Sequence, residues 1–326
     1  MFLLTVLWGK VMILTKKTIQ LEGHMKKILV VGSLNMDVSV RMGRLPAVGE
    51  TVRGAGCWNN PGGKGANQAC AAARLGGQVS LLGCVGADDY GAALLSQLAE
   101  AGVDVSAVEQ VPDVPTGTAF IFTDTAANNS IVILSGANER CTVPYIQRHE
   151  DQLRECDLVM LQLEVPLETV CYVVERASAL GKRVILDPAP APRDLPERLL
   201  REVDILTPNE TELALLSGQK AQGPEQLAEA AGRLLAKGSG CVLTTLGAEG
   251  VLLSTPEESR LIPGVKAKAV DTTAAGDCFN GALAVELAQG RTVAEAAVFA
   301  NRAAALSTTR RGAQNSLPKR CEVELP

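Results

Sequence analysis

The chain has 326 residues, of which 47% are hydrophobic and 3% aromatic, and its formal net charge is −5. That length allows one large or two ordinary domains, and the apolar share supports an ample core. The acidic balance argues against a nucleic-acid surface, which needs a basic footprint, but leaves room for local basic sites that hold phosphate.

Met1 to Leu14 is apolar, but Lys10 interrupts it and no basic segment precedes it. It is too short for a membrane span and lacks a clean cleavage site, so no membrane association is expected. Residues 1–24 read as an extension outside the fold, with the domain running over 25–326.

Lys27 to Gly32 is a continuous apolar run, the mark of a buried parallel strand. Val38 to Met42 and Glu50 to Gly54 read as two further strands. Lys64 to Leu75 is an alanine-rich helix ended by Gly76-Gly77. Val79 to Val85 is the next strand, and Tyr90 to Ala101 a helix. Thr118 to Thr123 and Ser130 to Leu134 form a predicted hairpin. Leu158 to Leu163, Arg183 to Leu186, Ile205 to Thr207 and Gly240 to Thr245 are short buried strands, and Ala267 to Val270 ends another. Helices are expected over Leu167 to Leu180, Pro224 to Lys237, Gly276 to Gln289 and Thr292 to Thr308. This β-α order predicts an α/β fold: a doubly wound, mostly parallel central sheet flanked by helices. The segments near 36–56 and 116–135 break the rhythm and would form a small separate β-sheet. It is either a lid or a plain surface hairpin. Its alternating apolar residues need cover, which favours the lid.

Nine cysteines, an odd number with no C-x-x-C pair, fit a reducing cytosol, hence a cytoplasmic location. Cys70, Cys84, Cys171 and Cys241 lie in apolar runs and read as buried thiols. Cys278 follows an acid of interest and would make the site thiol-sensitive. The two histidines, His24 and His149, give no basis for a histidine triad or a zinc site.

The segment Asp271-Thr272-Thr273-Ala274-Ala275-Gly276-Asp277 runs from a turn into an apolar helix. Small residues at a helix start leave N–H groups open to an anion, and the helix dipole adds positive charge. Asp277 stands at the mouth of that site, where a carboxylate would repel the ligand. Its position suits a base that deprotonates a hydroxyl attacking phosphorus, with the amides of 274–277 as the anion hole. The competing account is an ordinary helix cap.

A second polar set lies at strand and loop ends: Asn35, Asp37, Gly63, Lys64 and Asn67. Turn chemistry explains one such loop well and two less well. Glu164 ends an apolar strand and either joins this set or caps the helix after Pro166. Asn209 and Glu212 share a helix face, where they would either order magnesium-bound water or form a reciprocal cap. Thr245 to Gly250 joins two apolar strands, and Gly247 and Gly250 permit a tight turn or a flat ligand.

Two long motifs in order carry a resemblance. D-T-x-A-A-G-D-x-F-N-G-A, from Asp271 to Ala282, resembles the C-terminal signature of the ribokinase family of carbohydrate kinases. Gly32-Ser33-Leu34-Asn35-Met36-Asp37 and Pro61-Gly62-Gly63-Lys64-Gly65-Ala66-Asn67-Gln68-Ala69 resemble its N-terminal signature. The likeness spans about Lys26 to Pro318. It implies ATP-dependent phosphorylation of D-ribose at its terminal hydroxyl, with Asp277 as base beside Ala274, Ala275 and Gly276. It further implies sugar binding by Asn35, Asp37, Gly63, Lys64, Asn67, Glu164 and Asp277. Nucleotide and Mg²⁺ fall to Asn209, Glu212, Thr245, Gly247, Gly250, Gly276 and Asn301. An activating K⁺ falls to Asp271, Thr273, Ser307, Arg310, Gly312 and Ser316, and the lid is expected to pair two subunits into a homodimer. Deoxyribose and fructose remain alternative acceptors, while scarce aromatic residues disfavour a nucleoside. A non-catalytic sugar or nucleotide sensor on the same scaffold is the alternative from another class.

Overall fold

A computed structural model describes residues 26–126 and 128–324. The extension expected over 1–24 lies outside the described residues. The strands are β1 (Lys27–Val31), β2 (Asn35–Met42), β3 (Gly54–Gly62), β4 (Gln78–Leu82), β5 (Cys84–Gly86), β6 (Val103–Asp104), β7 (Glu109–Val111) and β8 (Gly117–Thr123). They continue with β9 (Asn129–Leu134), β10 (Leu158–Leu161), β11 (Arg183–Leu186), β12 (Ile205–Leu206), β13 (Cys241–Thr245), β14 (Gly250–Ser254) and β15 (Ser259–Pro263).

Nine strands form the central sheet in the order β15-β14-β13-β12-β11-β10-β1-β4-β6. Pairing is parallel from β13 to β6 and antiparallel at β13-β14 and β14-β15. Alternate residues of β1 serve opposite cores, which is why its apolar run is unbroken. Ile28 and Val30 pack with Ala71 and Leu283 of the Lys64–Arg74 and Ala275–Ala288 helices. Leu29 and Val31 pack with Val173 and Leu213 of the Leu167–Ala179 and Glu210–Ser217 helices. Each such fully buried aliphatic side chain contributes about 1.5–3 kcal/mol by leaving water.

The small sheet runs β3-β2-β8-β9. Its second strand is Gly54–Gly62 and not Glu50 to Gly54. Glycines, two asparagines and Pro61 hide it from propensity, but β2 pairs with it from Asn35↔Gly62 to Met42↔Gly54. It is an edge strand, the place where a sheet tolerates proline.

Two other expectations are corrected. Val79 to Val85 is not one strand. Gly83 donates its N–H to the Tyr145 hydroxyl at 2.9 Å, and beyond it β5 pairs with β7 in a separate ribbon. No strand forms over Ala267 to Val270. The N–H groups of Val270 and Asp271 both donate to the Thr308 carbonyl, at 2.7 and 3.1 Å, which ties the segment to a helix end.

Candidate active site

Several parallel strands stop on one line. Gly32 follows β1, Gln162 follows β10, Asp187 follows β11 and Thr207 follows β12. Ligands of open α/β sheets bind beyond these carboxyl ends. Two helices bring the remaining groups to that edge.

The Lys64–Arg74 helix begins at Gly63, whose φ is +89°. A Cβ there would lie 2.6 Å from Asn35 N and 2.9 Å from the Ser33 carbonyl, so only glycine lets the helix enter so close to β2. The first helical N–H, that of Lys64, donates to Glu164 Oε2 at 3.1 Å, and Ser33 Oγ donates to the same oxygen at 2.5 Å. Glu164 therefore clamps the two loops of the N-terminal motif and does not cap the helix after Pro166, which has no side-chain cap.

The Ala275–Ala288 helix begins at Ala274, a non-glycine residue in the left-handed region at φ 59°. Such a conformation is held only where its surroundings over-determine it. The Ala275 N–H turns back to the Thr272 carbonyl at 3.2 Å, and the Cys278 N–H donates to Ala274. Among the described residues the N–H groups of Gly276 and Asp277 meet no backbone acceptor. The anion hole expected from four amides thus keeps fewer open donors, because one is spent on closing the turn.

Asp277 is 6% exposed. Asn67 Nδ2 donates to its Oδ2 at 2.9 Å, and Gln68 Nε2 to its Oδ1 at 3.1 Å. Burial pushes its carboxyl above the ordinary carboxylate range, against the pull of Lys64 and the two amide donors. Burial disfavours the Lys64 charge, but Asp277, Asp187, Glu164 and Glu212 together hold its ammonium above the usual range. Asp37, on β2, is pushed up to about 7 by burial and by the charges of Glu164 and Asp277. Its carboxylate lies against Gly62 where a side chain would otherwise sit.

A cleft of about 240 Å³ opens beside these groups. Its lining includes Lys64, Asp187, Thr207, Asn209, Glu212 and Thr245 together with Ala274, Ala275, Gly276 and Asp277. Asn209 and Glu212 do form the reciprocal cap: Glu212 N donates to Asn209 Oδ1 at 2.9 Å and Asn209 N to Glu212 Oε2 at 2.8 Å. The same pair faces the cleft, so capping holds it in place there. The cleft wall offers hard oxygen donors, the kind that suits Mg²⁺.

Gly247, Gly250 and Asn301 lie together outside the cleft lining. Gly250 pairs with Pro263 across the β14–β15 ladder, and Asn301 Nδ2 donates to the Ile262 and Pro263 carbonyls at 3.3 and 3.2 Å. Asp271 holds its own turn: Oδ1 accepts from the Thr273 N–H and hydroxyl, and Oδ2 from the Gly312 N–H at 2.9 Å. Burial opposes its ionisation, but these bonds hold its carboxyl below the usual range. Ser307 and Ser316 turn their hydroxyls to the Ala304 and Ala313 carbonyls. Arg310 pairs with Glu322 at 2.6 Å.

Gln68 stood in the N-terminal motif without a role, and three further participants escaped sequence reasoning. Asn138 donates to Asn35 Oδ1 at 2.7 Å, Gln162 donates to Gln68 Oε1 at 2.6 Å, and Asp187 accepts from Gln68. Only the position of Gln162 and Asp187 at strand ends could have flagged them. Cys278 is fully buried with its thiol pushed up to about 12 by burial, so the expected thiol sensitivity has no reactive thiolate behind it.

Residues 25–320 match the family described as pfkB family carbohydrate kinase. The chain belongs to this family. It is a carbohydrate kinase. Ribokinase of Bacillus subtilis is 42% identical over 300 residues, covering 92% of this chain and 99% of that protein. Deoxyribokinase of Salmonella typhi is 38% identical over 89% of this chain and 95% of that protein. The structure of Arabidopsis thaliana ribokinase complexed with ribose and ATP is similar at a TM-score of 0.85 with 34% identity, over 91% of this chain and 97% of that one.

Proposed function

We propose that this kinase transfers the γ-phosphoryl group of ATP to the terminal hydroxyl of D-ribose, giving D-ribose 5-phosphate. The observation that carries the reading is the buried Asp277 carboxylate, gripped by Asn67 and Gln68, beside the open N–H groups of Gly276 and Asp277. A base whose affinity for protons is raised toward neutrality works best on a weakly acidic alcohol. Asp277 accepts the hydroxyl proton as oxygen bonds to phosphorus. The open amides, with Lys64, steady the charge on the moving phosphoryl group and the ADP it leaves.

Asn35, Asp37, Gly63, Lys64, Asn67 and Glu164 take the sugar. Asn67 Oδ1 is buried with no partner among the described residues, an acceptor suited to a sugar hydroxyl. Thr245, Gly247, Gly250 and Asn301 take the nucleotide. Asn209 and Glu212 would hold the water shell of a Mg²⁺ ion, which neutralises phosphate charge when bound. Asp271, Thr273, Ser307, Arg310, Gly312 and Ser316 form the K⁺ segment; ionised Asp271 and nearby carbonyl oxygens suit a monovalent cation.

Residues 25–326 act as one kinase domain with the small sheet as lid. In β9, Ile131, Val132, Ile133 and Leu134 are all exposed, an apolar edge that a second copy of the lid would cover in a homodimer. Nine unpaired cysteines and the need for ATP suit the cytoplasm.

ADP release, measured with ribose, deoxyribose and fructose, with and without Mg²⁺ and K⁺, tests the reading. Ribose should give the highest kcat/KM, with Mg²⁺ required and K⁺ activating. A higher value for deoxyribose or fructose would reassign the acceptor, and no turnover with any sugar would favour a sensor.

A further inference from the structure

A chain of buried amides runs back from Asp277 into the fold. Gln68 Nε2 lies 2.8 Å from Asp187 Oδ2 and 3.1 Å from Asp277 Oδ1. Asp277, as the base, accepts, so the end of Gln68 that meets the two acids is its NH₂ group, and both N–H bonds are used. Its Oε1 therefore points back, where Gln162 Nε2 donates to it at 2.6 Å. The polarity of the relay is thus set by chemistry: Gln162 gives to Gln68, and Gln68 gives to the two acids.

The backbone keeps the relay in register. A Cβ on Gly281 would lie 2.8 Å from the Gln68 carbonyl and 2.7 Å from Ala71 Cβ, so the helix that carries Asp277 packs directly on the helix that carries Gln68. A Cβ on Gly32 would overlap Gln162 Oε1, so that glycine makes room for the first amide of the relay. Gln68 and Gln162 are both fully buried. An amide in a dry site that satisfies two carboxylates is costly to place unless its bonds matter.

The geometry points to Gln68, oriented by Gln162, as a positioning residue that fixes the Asp277 carboxylate for proton abstraction. Asn67 holds the other oxygen, so together the two amides remove the freedom of the carboxylate to rotate. A base misplaced by a fraction of an ångström loses rate without losing substrate affinity. This inference rests on the reading of Asp277 as base.

Gln68→Met keeps the length of the side chain and removes both donors. It should lower kcat by about tenfold or more while each KM stays within about threefold, since the lost interaction acts on the transition state. In an Asp277→Asn background the same change should cost less than about twofold, because there is no base left to position. A smaller kcat loss, a loss carried by KM, or an equal cost in both backgrounds would overturn the proposal. If Gln68→Met fails to fold by thermal melting, Gln162→Met is read by the same split, with a kcat loss of about threefold or more expected. A wild-type chain without kinase activity, or an Asp277→Asn enzyme with near-normal turnover, would instead sink the reading of the site itself.

Discussion

Asp187 and Asp277 share a single amide nitrogen, that of Gln68. Asp187 is almost wholly buried, and burial, countered by Lys64 and reinforced by Asp277, raises its carboxyl to about 8. Because the folded value lies above the ordinary one, the folded state holds this proton more tightly than the unfolded chain does. The stability this group contributes is therefore full below about pH 4 and lost as pH rises to about 8. Asp187→Asn, which keeps an acceptor for Gln68, should raise the melting temperature of the ligand-free protein at pH 8 and flatten its decline between pH 5 and 8. Calorimetric melts of both proteins check this, and an unchanged slope would count against it.

Asp277→Asn should reduce kcat by about 10² to 10⁴, the usual span for loss of a general base. The same change removes a buried charge that the fold disfavours, so the melting temperature should not drop. Steady-state kinetics and a melt on one preparation separate these effects.

Asp37 should make sugar affinity depend on pH. Its carboxyl, raised to about 7, is ionised above that value and able to accept two hydroxyl hydrogen bonds. The KM for ribose should therefore fall as pH rises through about 7, while Asp37→Asn should show a high, flat KM over the same range. Initial rates from pH 6 to 8.5 in one buffer series give the comparison.

Gly63→Ala should destabilise the protein by about 1–3 kcal/mol or more, since it forces a side chain into the left-handed region and against Asn35 N. It should also raise the KM for sugar, because the helix start would be displaced from β2. Urea unfolding and sugar titration test the two effects separately.

Much of the fold was legible because its signals are local. Arg183–Leu186 was placed to the residue, and the Lys64–Arg74 and Leu167–Ala179 helices within one position, since alanine-rich or amphipathic runs end at glycine or leucine-glycine stops. β3 was misplaced because its pairing with β2, and not its own glycine- and asparagine-rich residues, makes it a strand. Val270 misled for the opposite reason: its segment looks strand-like, yet the helix end at Thr308 claims its N–H. Within the site, motif residues such as Lys64, Glu212 and Asp277 were readable and do share one cleft. Gln162, Asp187 and Asn138 were not, because each matters through a partner far off in sequence.

Gln68 and Asp277 are 209 positions apart. A growing polypeptide therefore emerges from the ribosome with the Gln68 amide long before the carboxylate it holds, and the contact can close only once the Ala275–Ala288 helix has been made. A chain cut before that helix would keep Lys64, Asn209, Glu212 and Thr245 but lack the acid on which Asn67 and Gln68 converge.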